Sequence, residues 1–263
     1  MALRFLLCAE DLLSATLARD LCDRVVHERA RSDWLRALWA PEARDAQRTW
    51  TGLRPDVWWA DRGSVEREAR ARRLRPHVRL RETGRLYSPR GVASEAFLAL
   101  RVAATLDPTP ALVVLSGDTD GETDPSRLRG AGVALAAEGL AVVLAEPCRE
   151  AEAWVLAGFV PKNSIEIARL KALHRELGFD PTEAPERLMS DRTGDPRDAK
   201  RVLRALLSGG EPCSALDERG RQCWLDTPLE LLASRGEAAG LGAFLRAVEA
   251  VLLPRLGDAV TPA

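Results

Sequence analysis

Apolar positions fall into two spacings along this chain. Leu3 to Ala9 is a short apolar run broken only by Arg4, the pattern of a strand buried on both faces. Leu13, Leu17, Leu21 and Val25 then recur at i, i+4, which predicts a helix over residues 11–29 packing on that strand. Ser94 to Leu106 again has helical spacing and is stopped by Pro108 and Pro110, ahead of a second buried strand, Ala111 to Leu115. A helix over Arg127 to Glu138, ended by Gly139, leads into a third strand, Leu140 to Ala145. Strands that alternate with helices make a parallel sheet, because parallel neighbours need a long return connection. Beyond about residue 150 the strand pattern stops, and helices are expected at 150–159, 163–177, 196–208, 228–234 and 240–253. The expected organisation is an α/β domain over residues 1–160, with an Arg/Trp-rich insertion at about 31–92, and a helical annex over 161–263 packed on it.

The carboxylates give this frame its candidate chemistry. Glu10 and Asp11 follow the first strand, Asp118 and Asp120 follow the second within Ser116-Gly-Asp-Thr-Asp-Gly121, and Glu146, Glu150 and Glu152 follow the third. Ligands bind outside the carboxyl ends of the strands in an open parallel sheet, so these acids are expected to converge. Converging carboxylates stay ionised only beside a cation, and an oxygen-only donor set suits Mg2+ or Mn2+. In an extended stretch residues i and i+2 point the same way, so Asp118 and Asp120 can chelate together. The same residues also suit a solvated turn. Glu152 and Trp154 likewise read either as site residues or as a helix N-terminal acid and a core aromatic.

A strand ending in Glu followed about a hundred residues later by a strand ending in Asp-x-Asp resembles the Toprim fold of topoisomerases, bacterial primases and OLD-type nucleases. Glu150-Ala-Glu-Ala-Trp-Val-Leu-Ala-Gly158 is similar to the Glu-x-Glu-Ala-Trp motif of a family of stand-alone bacterial Toprim-related proteins. Leu177-Gly-Phe-Asp-Pro181, Asp198-Ala-Lys-Arg201 and Thr227-Pro-Leu229 resemble that family's C-terminal region. OLD-type nucleases carry a further acid four residues after the first Glu, where this chain has Ser14, so Asp11 or Glu152 would have to substitute. The resemblance implies a Toprim-like parallel sheet flanked by helices and a Mg2+- or Mn2+-dependent nuclease, with Glu10, Asp118, Asp120 and Glu152 catalytic and the first three on the metal. It also implies a separate ATPase partner of the kind OLD-type systems use.

Composition then sets the electrostatics. The chain has 263 residues and a formal net charge of -1, which excludes attraction to nucleic acid through total charge. Locally the picture differs, for residues 62–90 hold ten arginines against three glutamates. Arg70, Arg72, Arg73, Arg75, Arg79 and Arg81 are the candidate contacts to nucleic-acid phosphates, with Trp50, Trp58, Trp59 and Tyr87 available to stack on bases. The alternative is a solvated arginine-rich helix over Val65 to Leu74 beside core tryptophans. The five cysteines form no CxxC pair, and no apolar run is long enough for a signal peptide or membrane span, so a cytoplasmic protein with reduced thiols and no membrane partner is expected. Two other functions stay open. Leu112 to Gly121 resembles the nucleophile motif of haloacid-dehalogenase-type phosphatases, with Asp118 attacking phosphorus and Gly194-Asp195-Pro-Arg-Asp198 imitating the late acidic motif. A non-catalytic adaptor binding nucleic acid or protein is the other.

Overall fold

The computed structural model describes residues 2–54, 56–75, 77–79, 86–87, 92–117, 132, 139–148, 150–188, 192 and 194–257. These fall into two compact units. One holds the described residues up to Gly117, those between Glu122 and Ala145, and those from Ala247 on; the other holds Glu146 to Arg246.

The first unit is built on a four-stranded parallel sheet. Strand β1 (Leu3–Cys8) lies between β2 (Arg48–Thr51) and β5 (Leu112–Ser116), and β6 (Val142–Ala145) borders β5. Residues 5–8 of β1 are buried, as are Leu112 to Leu115 of β5, because helices cover the sheet. Helix α1 (Leu12–Arg29) starts at Asp11, whose carboxylate accepts from Ser14 N at 2.7 Å. Helix α2 (Asp33–Leu38) follows it, and α3 (Arg62–Ala71) packs against α4 (Val92–Ala103). Phe97, Leu100, Val113 and Leu6 share the core cluster on that side. A two-residue antiparallel pair, β3 (Val78–Arg79) with β4 (Leu86–Tyr87), lies in the segment between α3 and α4. The helix expected over Arg127 to Glu138 lies outside the described residues, apart from residue 132.

Strand β2 corrects the reading of the 31–92 stretch as an insertion, since this stretch supplies an edge strand of the main sheet. Its Arg48 and Trp50 are buried while Thr49 is exposed, the period-2 alternation of a strand. Trp50 meets Phe5 edge-to-face at 5.2 Å, so it belongs to the core and is not available to stack on bases.

The second unit contains α5 (Glu152–Ala157), α6 (Ser164–Leu177), α7 (Ala199–Ser208), α8 (Glu218–Leu225) and α9 (Leu229–Arg235), and α10 (Leu241–Arg255) begins within it. Helix α6 is capped by Asn163, which accepts from Glu166 N, and ends at Gly178 with φ 77°, a left-handed conformation that favours glycine. Helix α8 was not anticipated by the sequence pattern. It places Cys223 in the core beside Arg219, and both Cys213 and Cys223 are free thiols. Trp154 is a core residue: its indole N–H donates to Ala239 O at 2.7 Å and its ring stacks on Phe244 at 5.2 Å. No helix among the described residues is long and apolar enough to cross a membrane.

Candidate functional site

The candidate site lies where β1 ends. Beyond Cys8 the chain stays in register with the segment before α3: Ala60 N donates to Leu7 O at 2.8 Å and Ala9 N donates to Ala60 O at 2.9 Å. This pairing brings the start of α3, capped by Asp61, beside the end of β1, where Glu10 is exposed. On the other side β5 runs parallel, with Cys8 level with Leu115. Glu10 and Gly117 therefore leave the same edge of the sheet from neighbouring strands, which in general stand about 4.8 Å apart. Gly117 N donates to Ala145 O at 3.2 Å, so β6 ends at that edge as well. Asp118 and Asp120 lie outside the described residues.

Charge converges here on Arg62. Its Nη1 is 2.8 Å from Glu95 Oε1 and its Nε 3.2 Å from Glu66 Oε1. Glu95 lies in the first turn of α4, and burial pushes its carboxyl above the ordinary value; Arg62 opposes this, while the charges of Glu66 and Glu10 push it up again. Glu10 thus shares an electrostatic neighbourhood with two other carboxylates and one guanidinium. Glu95 was missed from sequence. Its only sequence signal was an acid in the first turn of a helix, which the helix dipole favours for structural reasons alone.

Other candidate residues have local duties. Asp11 is the cap of α1, so its carboxylate is already engaged where a substitute metal ligand was sought. Ser14, at the position of the further acid in OLD-type nucleases, is buried at 2% exposure. Glu152 opens α5 and Glu150 pairs with Lys200 at 3.5 Å, both within the second unit. Asp198 caps α7 and accepts from Lys200 N and Arg201 N, and Asp195 accepts from Arg197 N at 2.8 Å. The residues that imitate a phosphatase's late acidic motif are therefore turn and cap residues. Among the described residues, no three His, Cys, Asp or Glu side chains are grouped to hold a metal ion.

The arginine strip begins on α3, which spans Arg62–Ala71 where a helix was expected over Val65 to Leu74. Arg70 reaches Glu66 at 3.3 Å and Arg72, just past the end of α3, reaches Glu68 at 2.7 Å, both i,i+4 pairs, and Arg72 also donates to Thr105 O at 2.9 Å. The heads remain accessible: the Arg70 side chain is 78% exposed, and Arg73 and Arg75 are exposed in the turn after the helix. Arg79 lies in β3, level with Leu86, and Arg81 lies outside the described residues. Trp58 is half-buried with the Arg19 guanidinium 4.4 Å from its ring centroid, so one ring face is covered by a cation.

Comparison with known proteins adds no relative to this picture: no protein-family model, no curated protein and no solved structure matches the chain.

Proposed function

We propose that this chain is a Toprim-like nuclease that uses Mg2+ or Mn2+ to hydrolyse nucleic-acid phosphodiester bonds. The observation that carries the reading is the shared edge of β1 and β5: Glu10 follows one strand, and the Asp118-Thr-Asp120 sequence follows the other directly after Gly117. The donor chemistry fits such an ion. Glu10, Asp118 and Asp120 are hard oxygen donors, and the neighbouring carboxylates of Glu66 and Glu95 already require a positive partner, which Arg62 supplies. Glu10, Asp118 and Asp120 would hold the ion, which when bound supplies charge neutralisation for the phosphate and a water of lowered pKa.

The chain's own residues do the rest. The exposed guanidiniums of Arg70, Arg73 and Arg75 hold the substrate's backbone by forked contacts to phosphate oxygens. Arg62, fixed between Glu66 and Glu95, keeps the acidic edge from repelling the polyanion. A separate ATPase subunit and a preference for DNA or RNA belong to the same proposal.

The experiment is cleavage of labelled DNA and RNA by the full chain with Mg2+ or Mn2+, beside Glu10→Ala and Asp118→Ala. Metal-dependent cleavage that both substitutions abolish is expected. Full activity in both variants refutes the reading, and salt-sensitive binding without turnover in the unmodified chain makes it an adaptor instead.

A further inference from the structure

We propose that the cleft at the N-terminal end of β2 is a second site, one that binds a phosphate group, and that the Asp45 carboxylate occupies its place in the free chain. The cleft has a volume of about 400 Å3 and is lined by Arg19, Arg44, Asp45, Arg48, Thr49 and Trp50. Arg48 is level with Leu3, the first residue of β1, so the cleft lies at the opposite end of the strands from Glu10. At about 3.3 Å per residue that is about 20 Å from the acidic edge. All six lining residues belong to the first unit.

Three guanidiniums stand there beside buried carboxylates before any ligand arrives. Arg48 is gripped from behind by Asp23, 1% exposed in its side chain, through Nε at 2.9 Å and Nη2 at 2.5 Å. Arg19 donates through Nε and Nη2 to Asp20, at 3.0 and 2.9 Å, and lies over the Trp58 ring. Arg44 Nε stands 3.8 Å from Asp23 Oδ2. The Asp20 and Asp23 carboxylates are themselves buried, behind the guanidiniums they hold.

Asp45 is different. Its side chain is 84% exposed and accepts one hydrogen bond from Arg48 Nη1 at 2.6 Å. That hydrogen bond first, joined by the charges of Arg48, Arg44 and Arg19, holds its carboxyl below the ordinary value against the opposing effect of burial. All three guanidiniums therefore act on one point at the mouth of the cleft, where an exposed anion sits. A tetrahedral phosphate can take N–H donors from more than one fork, with the exposed Thr49 hydroxyl on the rim, whereas the Asp45 carboxylate takes one. When Asp45 turns out to solvent the phosphate replaces its charge.

The phosphate belongs either to a small phosphorylated molecule or to a nucleic-acid backbone, and the test separates the two. Titration calorimetry on the full chain at constant ionic strength uses inorganic phosphate, adenosine 5′-monophosphate and a single-stranded oligonucleotide as probes. Saturable phosphate binding is expected, weakened about fivefold or more in Arg44→Gln and tightened about fivefold in Asp45→Asn, the size of one Coulomb contact at about 4 Å fully screened by water. Glu10→Gln leaves it unchanged, so the outcome is independent of the nuclease reading. Monophosphate binding that weakens in Arg44→Gln while oligonucleotide binding does not assigns a small-molecule ligand; weakening of oligonucleotide binding by the same factor assigns a backbone phosphate. No saturable binding of any probe, or equal affinities in all variants confirmed folded by circular dichroism, overturns the site.

Discussion

Burying Asp23 and Arg48 makes a sharp energetic prediction. Asp23 is 1% exposed and takes two hydrogen bonds from Arg48 at 2.9 and 2.5 Å; Asp45, on the other side of the same guanidinium, is 84% exposed. Replacing Arg48 with Met strands a carboxylate in the interior, a perturbation that generally costs about 3–5 kcal/mol. Arg44, 3.8 Å from Asp23 Oδ2, retains part of the compensation, which puts the expected loss near the lower end, about 3 kcal/mol. Asp45→Asn removes only an exposed partner and costs about 1 kcal/mol or less. The Asp23→Asn/Arg48→Met double variant removes the stranded charge together with its partner and is expected to recover at least about 1 kcal/mol relative to the sum of the single losses. Urea denaturation of the unmodified chain, the single variants Arg48→Met, Asp23→Asn and Asp45→Asn, and the double variant at pH 7, followed by circular dichroism, measures each difference. The reasoning fails if Arg48→Met costs less than about 1 kcal/mol or if the two single losses simply add.

Three further outcomes follow from the geometry. Arg219 first of all, by its hydrogen bond, holds Glu166 below its ordinary value against burial, so this pair stabilises the fold at neutral pH and loses its contribution as pH falls through the lowered value; Arg219→Met should flatten the stability profile below about pH 4.5, measured by urea midpoints across pH. Burial pushes the Cys8 thiol up to about 12 and the Cys223 thiol to about 11, and raises Cys22 as well, so a disulfide-exchange dye at pH 8 should titrate Cys148 and Cys213 in the native chain and all five thiols in denaturant. A methyl group on Gly158 would lie 2.0 Å from Cys223 O and 2.8 Å from Leu232 Cδ2, so Gly158→Ala should cost about 1–3 kcal/mol in the same denaturation assay, and no loss would mean that α8 yields freely.

The residues legible from sequence are those whose signal is local. The apolar runs of β1, β5 and β6 named three of the four strands of the parallel sheet; the central β1 and β5 are covered on both faces and so apolar almost throughout, while β6 at the edge is buried only at alternate residues. The helices expected over 163–177 and 196–208 are present as α6 and α7, and the structure puts their caps at Asn163 and Asp198, which supply acceptors for the first N–H groups. Glu10 was legible as a strand-end acid because it directly follows the apolar run of β1. Strand β2 was not, because its buried Arg48 is tolerable only beside Asp23, 25 residues earlier on α1, and that partnership exists only once the chain is folded. Glu95 joined Glu10 in the same way: Arg62, from a third segment, draws the α4 carboxylate to the end of β1. The sequence by itself determined the alternation of strands and helices and which ends of the strands carry acids. Only the tertiary structure decided which arginines are buried, which acids neutralise them and which stand at the cleft mouth, because the cost of burying a charge depends on partners distant in the chain.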